Sequence, residues 1–233
     1  MTAVWRLADL AWPEVHELAG NGALLAIPLG ATEQHGPHLP LSTDTEVAVA
    51  LCEALANSRD DVVIAPAVSY GSSGEHAGFA GTLSIGQDLT ELVVTELGRS
   101  ACETFAHVLF VSAHGGNAGP LARAVARLRA ESRDVHVCAP HWDGDPHAGH
   151  IETALMLALR PESVQMARAE TGNTRPLREL MPQLREHGVR AVSDNGILGD
   201  PMGATAFHGD LLLDRLAAVL SKEVAAWRAP ETL

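Results

Sequence analysis

The chain has 233 residues, 46% of them hydrophobic and only 4% aromatic, and carries 16 Lys and Arg against 29 Asp and Glu for a formal charge of −13. The length suits one large domain over residues 1–233 with a core of Ala, Leu and Val, and so acidic a chain without a basic cluster excludes a nucleic-acid partner, because phosphate binding needs Lys and Arg. No apolar run is long enough to span a bilayer and no basic-then-apolar leader opens the sequence, so no membrane association is expected and the cytoplasm is the expected location, with Cys52, Cys102 and Cys138 reduced.

In chain order, Ala23 to Pro28 is a short apolar run, predicted as a buried strand. It leads into Gly30-Ala31-Thr32-Glu33-Gln34-His35-Gly36-Pro37-His38-Leu39-Pro40-Leu41-Ser42-Thr43-Asp44, where acidic and imidazole groups crowd among turn residues. Glu-x-His on an extended backbone puts both side chains on one side. Thr45 to Asn57 is predicted as a helix with Val47, Leu51, Ala54 and Leu55 on one face, and Val62 to Val68 as a second strand. A Gly-rich segment from Gly71 to Gly86 follows, then a helix N-capped by Asp88 and running to about Phe105. Val108 to Ala113 is the third strand, His114-Gly115-Gly116-Asn117 a tight turn, Gly119 to Ala130 a helix, and Val135 to Ala139 the fourth strand. A polar loop over Pro140 to His147 precedes a helix from Ile151 to Leu159; Pro161 to Thr205 is irregular, and Gly209 to Trp227 is a closing amphipathic helix. Alternating strands and helices with nearly continuous apolar strands imply a mainly parallel sheet covered on both faces. Ligands collect at the carboxyl ends of such strands, which is where the polar clusters fall.

The chemistry follows from residue types. Glu33, Asp44 and His114 suit one divalent ion, and His35, Asp44 and Glu152 a second, with Asp44 bridging. Mixed N/O ligation accommodates Zn, Fe or Mn. A two-ion centre lowers the pKa of water and polarises a carbonyl, so amide hydrolysis is the natural reaction. His147 is the candidate acid/base that gives a proton to the departing nitrogen. The alternatives are a satisfied strand-end histidine at His114 and a carboxylate at Glu152 that serves only its helix N-terminus. Glu75 and His76 are either substrate contacts or merely solvated. No Gly-x-Ser-x-Gly elbow is present, and Gly71-Ser72-Ser73-Gly74 lacks the Gly-Lys-Ser/Thr ending of a phosphate loop.

These motifs resemble the creatininase (creatinine amidohydrolase) family: Glu33-Gln34-His35-Gly36-Pro37-His38-Leu39-Pro40 with Asp44, Phe79-Ala80-Gly81-Thr82, His114-Gly115-Gly116-Asn117, and His147-Ala148-Gly149 with Glu152-Thr153. The resemblance implies a three-layer α/β/α sandwich with a mainly parallel central sheet, a dinuclear metal site, hydrolysis of unusual amide C–N bonds, and a homo-oligomer such as a hexamer. Gly188 to Pro201 is similar to the mycofactocin-system peptidases of that family, which implies release of a C-terminal Val-Tyr-derived dipeptide from a modified precursor peptide. Creatinine-hydrolysing members carry Tyr-Glu, the Glu a ligand, where this chain has Gly115 and Gly116. Creatinine is therefore not the expected substrate, and the second ion's carboxylate falls to Glu152. Ser112-Ala113 replaces the family's usual Asn-Gly and Ala80 its usual Pro, changes that bear on specificity. The competing expectations are an amidohydrolase acting on a small cyclic amide or formamide, and a non-catalytic protein that binds the precursor.

Overall fold

A computed structural model describes residues 4–229. Five strands, β1 (Trp5–Arg6), β2 (Leu24–Leu29), β3 (Val62–Ile64), β4 (His107–Ser112) and β5 (Val135–Cys138), form one sheet in the order β1-β3-β2-β4-β5. Every pairing is parallel, with Leu25 opposite Val63 on one side and Val108 on the other. The helices are α1 (Trp12–Gly20), α2 (Thr43–Ser58), α3 (Gly86–Ala101), α4 (Ala118–Ala130), α5 (His150–Leu159), α6 (Leu177–His187) and α7 (Ala206–Trp227).

Strand side chains alternate between two cores. Leu24, Ala26, Leu109 and Val111 pack under α2, α5 and α7, whereas Leu25, Ile27, Val108 and Phe110 pack under α1, α3 and α4. The result is the expected three-layer α/β/α sandwich. Each fully buried leucine in these layers contributes roughly 1.5–3 kcal/mol, so the two cores hold the sheet rigid beneath its loops. None of the described helices is long and apolar enough to cross a membrane.

Several boundaries differ from the sequence reading. The second strand ends at Ile64 because Pro66 cannot donate to a ladder, and pairing resumes only as a single bridge from Val68 to Leu29. Helix α2 begins at Thr43, which places Asp44 in its first turn instead of in a loop. Helix α3 starts at Gly86, so Asp88 lies inside its first turn and is not the cap. Helix α7 starts at Ala206, with the Thr205 hydroxyl accepting from the His208 N–H at 3.2 Å. Strand β1 and helices α1 and α6 were not anticipated. Helix α1 carries Pro13 in its first turn and the Glu14 carboxylate on the Ala11 N–H at 2.8 Å. Helix α6 forms despite Pro182, because Leu180 is buried against Val189 and Leu198.

The topology fixes where a site can form. After β2 the chain turns toward β3 through α2 on one face; after β4 it turns the opposite way through α4 on the other face. The loops leaving the carboxyl ends of β2 and β4 therefore part company and leave a crevice, the usual ligand position in open parallel sheets.

Candidate metal centre

Glu33 and His35 come from the loop after β2, Asp44 from the first turn of α2, His114 from the end of β4, and His147 and Glu152 from the loop after β5 and the start of α5. All six are buried. Asp44 stands at the centre: its Oδ1 lies 3.3 Å from His35 Nε2 and its Oδ2 lies 3.3 Å from His114 Nδ1. Glu33 Oε2 is 3.3 Å from His114 Nε2, and Glu152 Oε2 is 3.8 Å from His35 Nε2. Ligand-type atoms of Glu33, Asp44 and His114 all lie within 4.8 Å of one another, as do those of His35, Asp44 and Glu152. These are the two trios expected from the sequence, sharing Asp44. A third trio, Glu33, His35 and His147, satisfies the same limit.

The surrounding hydrogen bonds aim the imidazoles. His35 Nδ1 donates to the Glu33 carbonyl at 3.2 Å and leaves Nε2 facing Asp44. His114 Nε2 donates to the Ser72 carbonyl at 2.8 Å and leaves Nδ1 facing the same carboxylate. His147 Nε2 donates to the Gln34 carbonyl at 2.8 Å, so its Nδ1 lone pair faces Glu33 Oε1 at 3.8 Å. Fixing one ring nitrogen so that the other is presented is how imidazoles are oriented at metal centres. His147 is pinned further by main-chain bonds in both directions with Leu198. Ala148, at φ 54°, turns its N–H onto Glu152 Oε2 at 2.5 Å and steadies that carboxylate.

The residues present fit a pair of cations. Among the described residues, four buried side-chain polar atoms lack a hydrogen-bond partner, and three of them, Glu33 Oε2, His35 Nε2 and Asp44 Oδ2, belong to these trios. A buried polar atom left unpaired costs about 1–3 kcal/mol, and more if charged. Three buried carboxylates at one point likewise demand positive charge. Burial and then Asp44 push Glu33 up to about 8, and burial above all raises Glu152. Burial opposes the charged form of His35, yet Asp44, Glu152 and Glu33 outweigh it and raise the ring to about 10. Protons on histidine thus provide the compensation that divalent ions provide better. Burial, then the neighbouring His35 and His76, holds His147 well below its ordinary value, so it is a neutral base.

Glu75 and His76 line the same cavity, a space of about 1220 Å³ whose floor is Glu33, Asp44, His114, His147 and Glu152. His76 is buried and does structural work as well: its Nε2 lies 3.2 Å from Glu33 Oε1, and its Nδ1 is 2.9 Å from Gln34 Nε2. Burial, followed by His35 and His114, lowers its pKa to about 3, so it donates from Nε2 as a neutral ring. The Glu75 carboxylate is partly exposed, 3.9 Å from His114 Nε2. Gly116 is required here, because a Cβ would lie 2.1 Å from the Ser72 carbonyl oxygen and 2.5 Å from His114 Nε2.

Three supporting residues went unassigned in the sequence reading. Asn117, fully buried, accepts from the Ser72 N–H at 2.9 Å and donates to the Gly30 carbonyl at 3.0 Å, joining the loops after β2, β3 and β4. Gln34 donates to the Gly196 carbonyl at 3.0 Å and accepts from the Gly36 N–H at 2.9 Å. Thr153 meets His38 Nε2 at 2.8 Å and ties the loop after β2 to α5. Each lies within a quoted motif, so adjacency to a ligand was the available signal.

The creatinine amidohydrolase family model matches residues 8–224. A mycofactocin precursor peptide peptidase from Mycobacterium tuberculosis (strain CDC 1551 / Oshkosh) is 45% identical over 221 residues, 91% of this chain and 88% of the relative. One from Mycolicibacterium smegmatis is 46% identical over 213 residues, 88% of this chain and 85% of the relative. A mutant creatininase of Zn-Zn type superposes with a TM-score of 0.85 at 22% identity, covering 98% of this chain and all of that one.

Proposed function

The chain belongs to the creatininase (creatinine amidohydrolase) family, and from that premise we propose that it is the peptidase that releases a C-terminal Val-Tyr-derived dipeptide from the modified mycofactocin precursor peptide. The carrying observation is the shared carboxylate of Asp44 between two trios of buried ligand-type residues, three of whose side-chain atoms have no hydrogen-bond partner, at the floor of a cavity of about 1220 Å³. That space admits the end of a peptide. Identities of 45–46% to relatives bearing the peptidase name support the substrate.

In this reading Glu33, Asp44 and His114 would hold one divalent ion and His35, Asp44 and Glu152 a second, with Zn, Fe or Mn all suited to such mixed ligands. When bound, the pair supplies a lowered pKa for water and polarisation of the scissile carbonyl. His147 does the proton work. Its Nε2–H is committed to the Gln34 carbonyl, and its neutral Nδ1 faces the floor. Nδ1 takes a proton from the attacking water as the C–O bond forms and returns it to the nitrogen as the C–N bond breaks. Gln34 and His76 hold Glu33 and His147 in place, and Glu75 lines the approach to the floor. A homo-oligomer belongs to the same reading; Phe207 on α7 and Trp12 on α1 are 73% and 80% exposed and offer apolar contact.

Mass spectrometry of the modified precursor after exposure to enzyme of defined metal content tests the proposal. Release of the dipeptide only with metal present supports it. Turnover of a lactam or formamide without dipeptide release moves the assignment to that amidohydrolase class. Full biological activity of Glu33→Ala and His114→Ala variants means that the protein binds the precursor without cleaving it.

A further inference from the structure

We infer that Arg185, assisted by Arg175, is the receptor for a carboxylate carried by the peptide substrate, and so selects which peptides reach the metal centre. The inference rests on the peptidase reading above.

The cavity wall opposite the catalytic loops is α6 and the residues just before it. Leu177, Met181 and Leu184, spaced along one face of that helix, line the cavity as an apolar strip, and Leu180 beside them is buried against Val189 and Leu198 and anchors the helix. Arg175 and Arg185 flank the strip and are the only Lys or Arg among the residues lining the cavity. The same lining contains Glu33, Asp44, Glu75, Asp145, Glu152 and Glu186. With Glu33, Asp44 and Glu152 committed to the cations in the peptidase reading, Glu75, Asp145 and Glu186 remain, and together with a chain charge of −13 they repel an acidic peptide unless Arg175 or Arg185 meets it.

Many arginines are held by carboxylates, as where Arg99 reaches Glu96 and Glu131 and Arg133 reaches Glu103 and Glu131; among the described arginines that are not, such as Arg168, Arg178 and Arg215, only Arg185 lines the cavity. Arg175 touches Glu179 only at 3.4 Å, with its side chain 59% exposed. Arg185 is exposed and, among the described residues, has neither an ion pair nor a hydrogen bond, although it lines the cavity. A guanidinium is a rigid five-donor fork matched to a carboxylate. Both arginines stand at the rim while the ligand residues form the buried floor. The carboxylate they meet is a side chain on the peptide stretch crossing the rim or the terminal carboxylate of the substrate. These share one chemistry, and the assay separates them.

Steady-state release of dipeptide is measured for wild-type, Arg185→Gln, Arg175→Gln and Arg178→Gln enzyme, all metal-loaded, and binding of fluorescently labelled precursor is measured by anisotropy on the same proteins. Arg178, on the same helix but not lining the cavity, is the control. Arg185→Gln is expected to raise KM and Kd about ten- to a hundredfold, the loss of one charge-assisted hydrogen-bonded pair, with kcat within about twofold; Arg178→Gln changes neither. Precursor with Asp and Glu changed to Asn and Gln, and precursor with an amidated C-terminus, are run in parallel. The form that weakens binding to the wild type and erases the difference from Arg185→Gln identifies the source of the carboxylate. Equal KM and Kd for wild type and Arg185→Gln, or a loss that persists on peptide lacking every carboxylate, overturns the inference. Absence of dipeptide release by the wild type overturns the peptidase reading instead, and the anisotropy comparison still decides the role of Arg185.

Discussion

Replacing Asn117 with alanine isolates the joint on which the candidate site is built. The carboxamide is fully buried and serves two main-chain groups from different loops, the Ser72 N–H at 2.9 Å and the Gly30 carbonyl at 3.0 Å. Neither recovers a partner when the side chain is shortened, and each buried group left unpaired costs about 1–3 kcal/mol. The sum is roughly 2–6 kcal/mol, before any cost for the void. For a chain of this size about 1 kcal/mol corresponds to roughly 2–4 °C in Tm, so the expected fall is on the order of 4–24 °C. Asn117→Asp should fall in the same direction, because an oxygen then faces the Gly30 carbonyl where a donor stood. There is a second consequence. Ser72, held through its N–H by Asn117, offers its carbonyl to His114 Nε2 at 2.8 Å, so loosening it releases the ring that faces Asp44, and bound metal per chain should drop alongside Tm. Calorimetry and elemental analysis of the same preparations read both effects. An Asn117→Ala protein melting within about 2 °C of the parent with full metal content would refute the reasoning.

Three further outcomes follow from the same geometry. Asp44→Asn should lower bound metal more than either His35→Ala or His114→Ala, since of the two trios assigned to ions Asp44 belongs to both and each histidine to one; equal metal content in all three variants by elemental analysis would deny the shared role of Asp44. The metal-stripped protein should lose stability as pH rises from 7.5 to 8.5. Glu33, raised to about 8 by burial and Asp44, and His35, raised to about 10 by Asp44, Glu152 and Glu33 against the pull of burial, keep protons that the unfolded chain has released. Each extra native proton removes about 1.4 kcal/mol per pH unit. His38 and His76, lowered to about 4 and about 3 by burial and neighbouring histidine charge, and His147, lowered for the same reasons, oppose this decline only where the unfolded rings are still charged, near and below pH 6.5, and are neutral in both states above about pH 7.5. Divalent ions displace those protons, so the metal-loaded protein should show no such decline; parallel Tm-versus-pH curves for the two forms would count against the ligand set. Finally, Gly209→Ala puts a Cβ 1.9 Å from the Ala154 carbonyl oxygen where α7 crosses α5, and overpacking of this kind costs about 1–3 kcal/mol or more, measurable as a lowered denaturation midpoint.

The ligand types and their grouping were legible in the sequence for a physical reason. Glu-x-His after an apolar strand, a histidine closing the next long strand, and a carboxylate opening a late helix are local patterns, and the parallel-sheet rule places all of them at one edge. The three layers were legible as well, because β2 is apolar throughout and β4 from Val108 to Val111, and the helices between them are amphipathic. What the local pattern could not carry was the outcome of competition between segments. Helix α6 forms although Pro182 removes one of its hydrogen bonds, since burying Leu180 under Val189 and Leu198 offsets that loss. Strand β1 has only two residues and exists because β3 offers an open edge.

Which nitrogen of each imidazole faces inward was likewise a tertiary decision. The Glu33, Ser72 and Gln34 carbonyls that fix His35, His114 and His147 lie 2, 42 and 113 residues away along the chain, and only the first is near enough for sequence to hint at it. The arginines flanking α6 carry no signal by themselves in a chain with fifteen arginines and one lysine; the folded cavity wall distinguishes Arg185 from Arg178. Sequence by itself determined which chemical groups were available and at which end of the sheet they emerge, because strand polarity and side-chain periodicity are local properties of the backbone. Tertiary structure decided their orientation, their protonation and their access to substrate, because hydrogen bonds between distant loops and the removal of water around buried charge exist only once those loops have met.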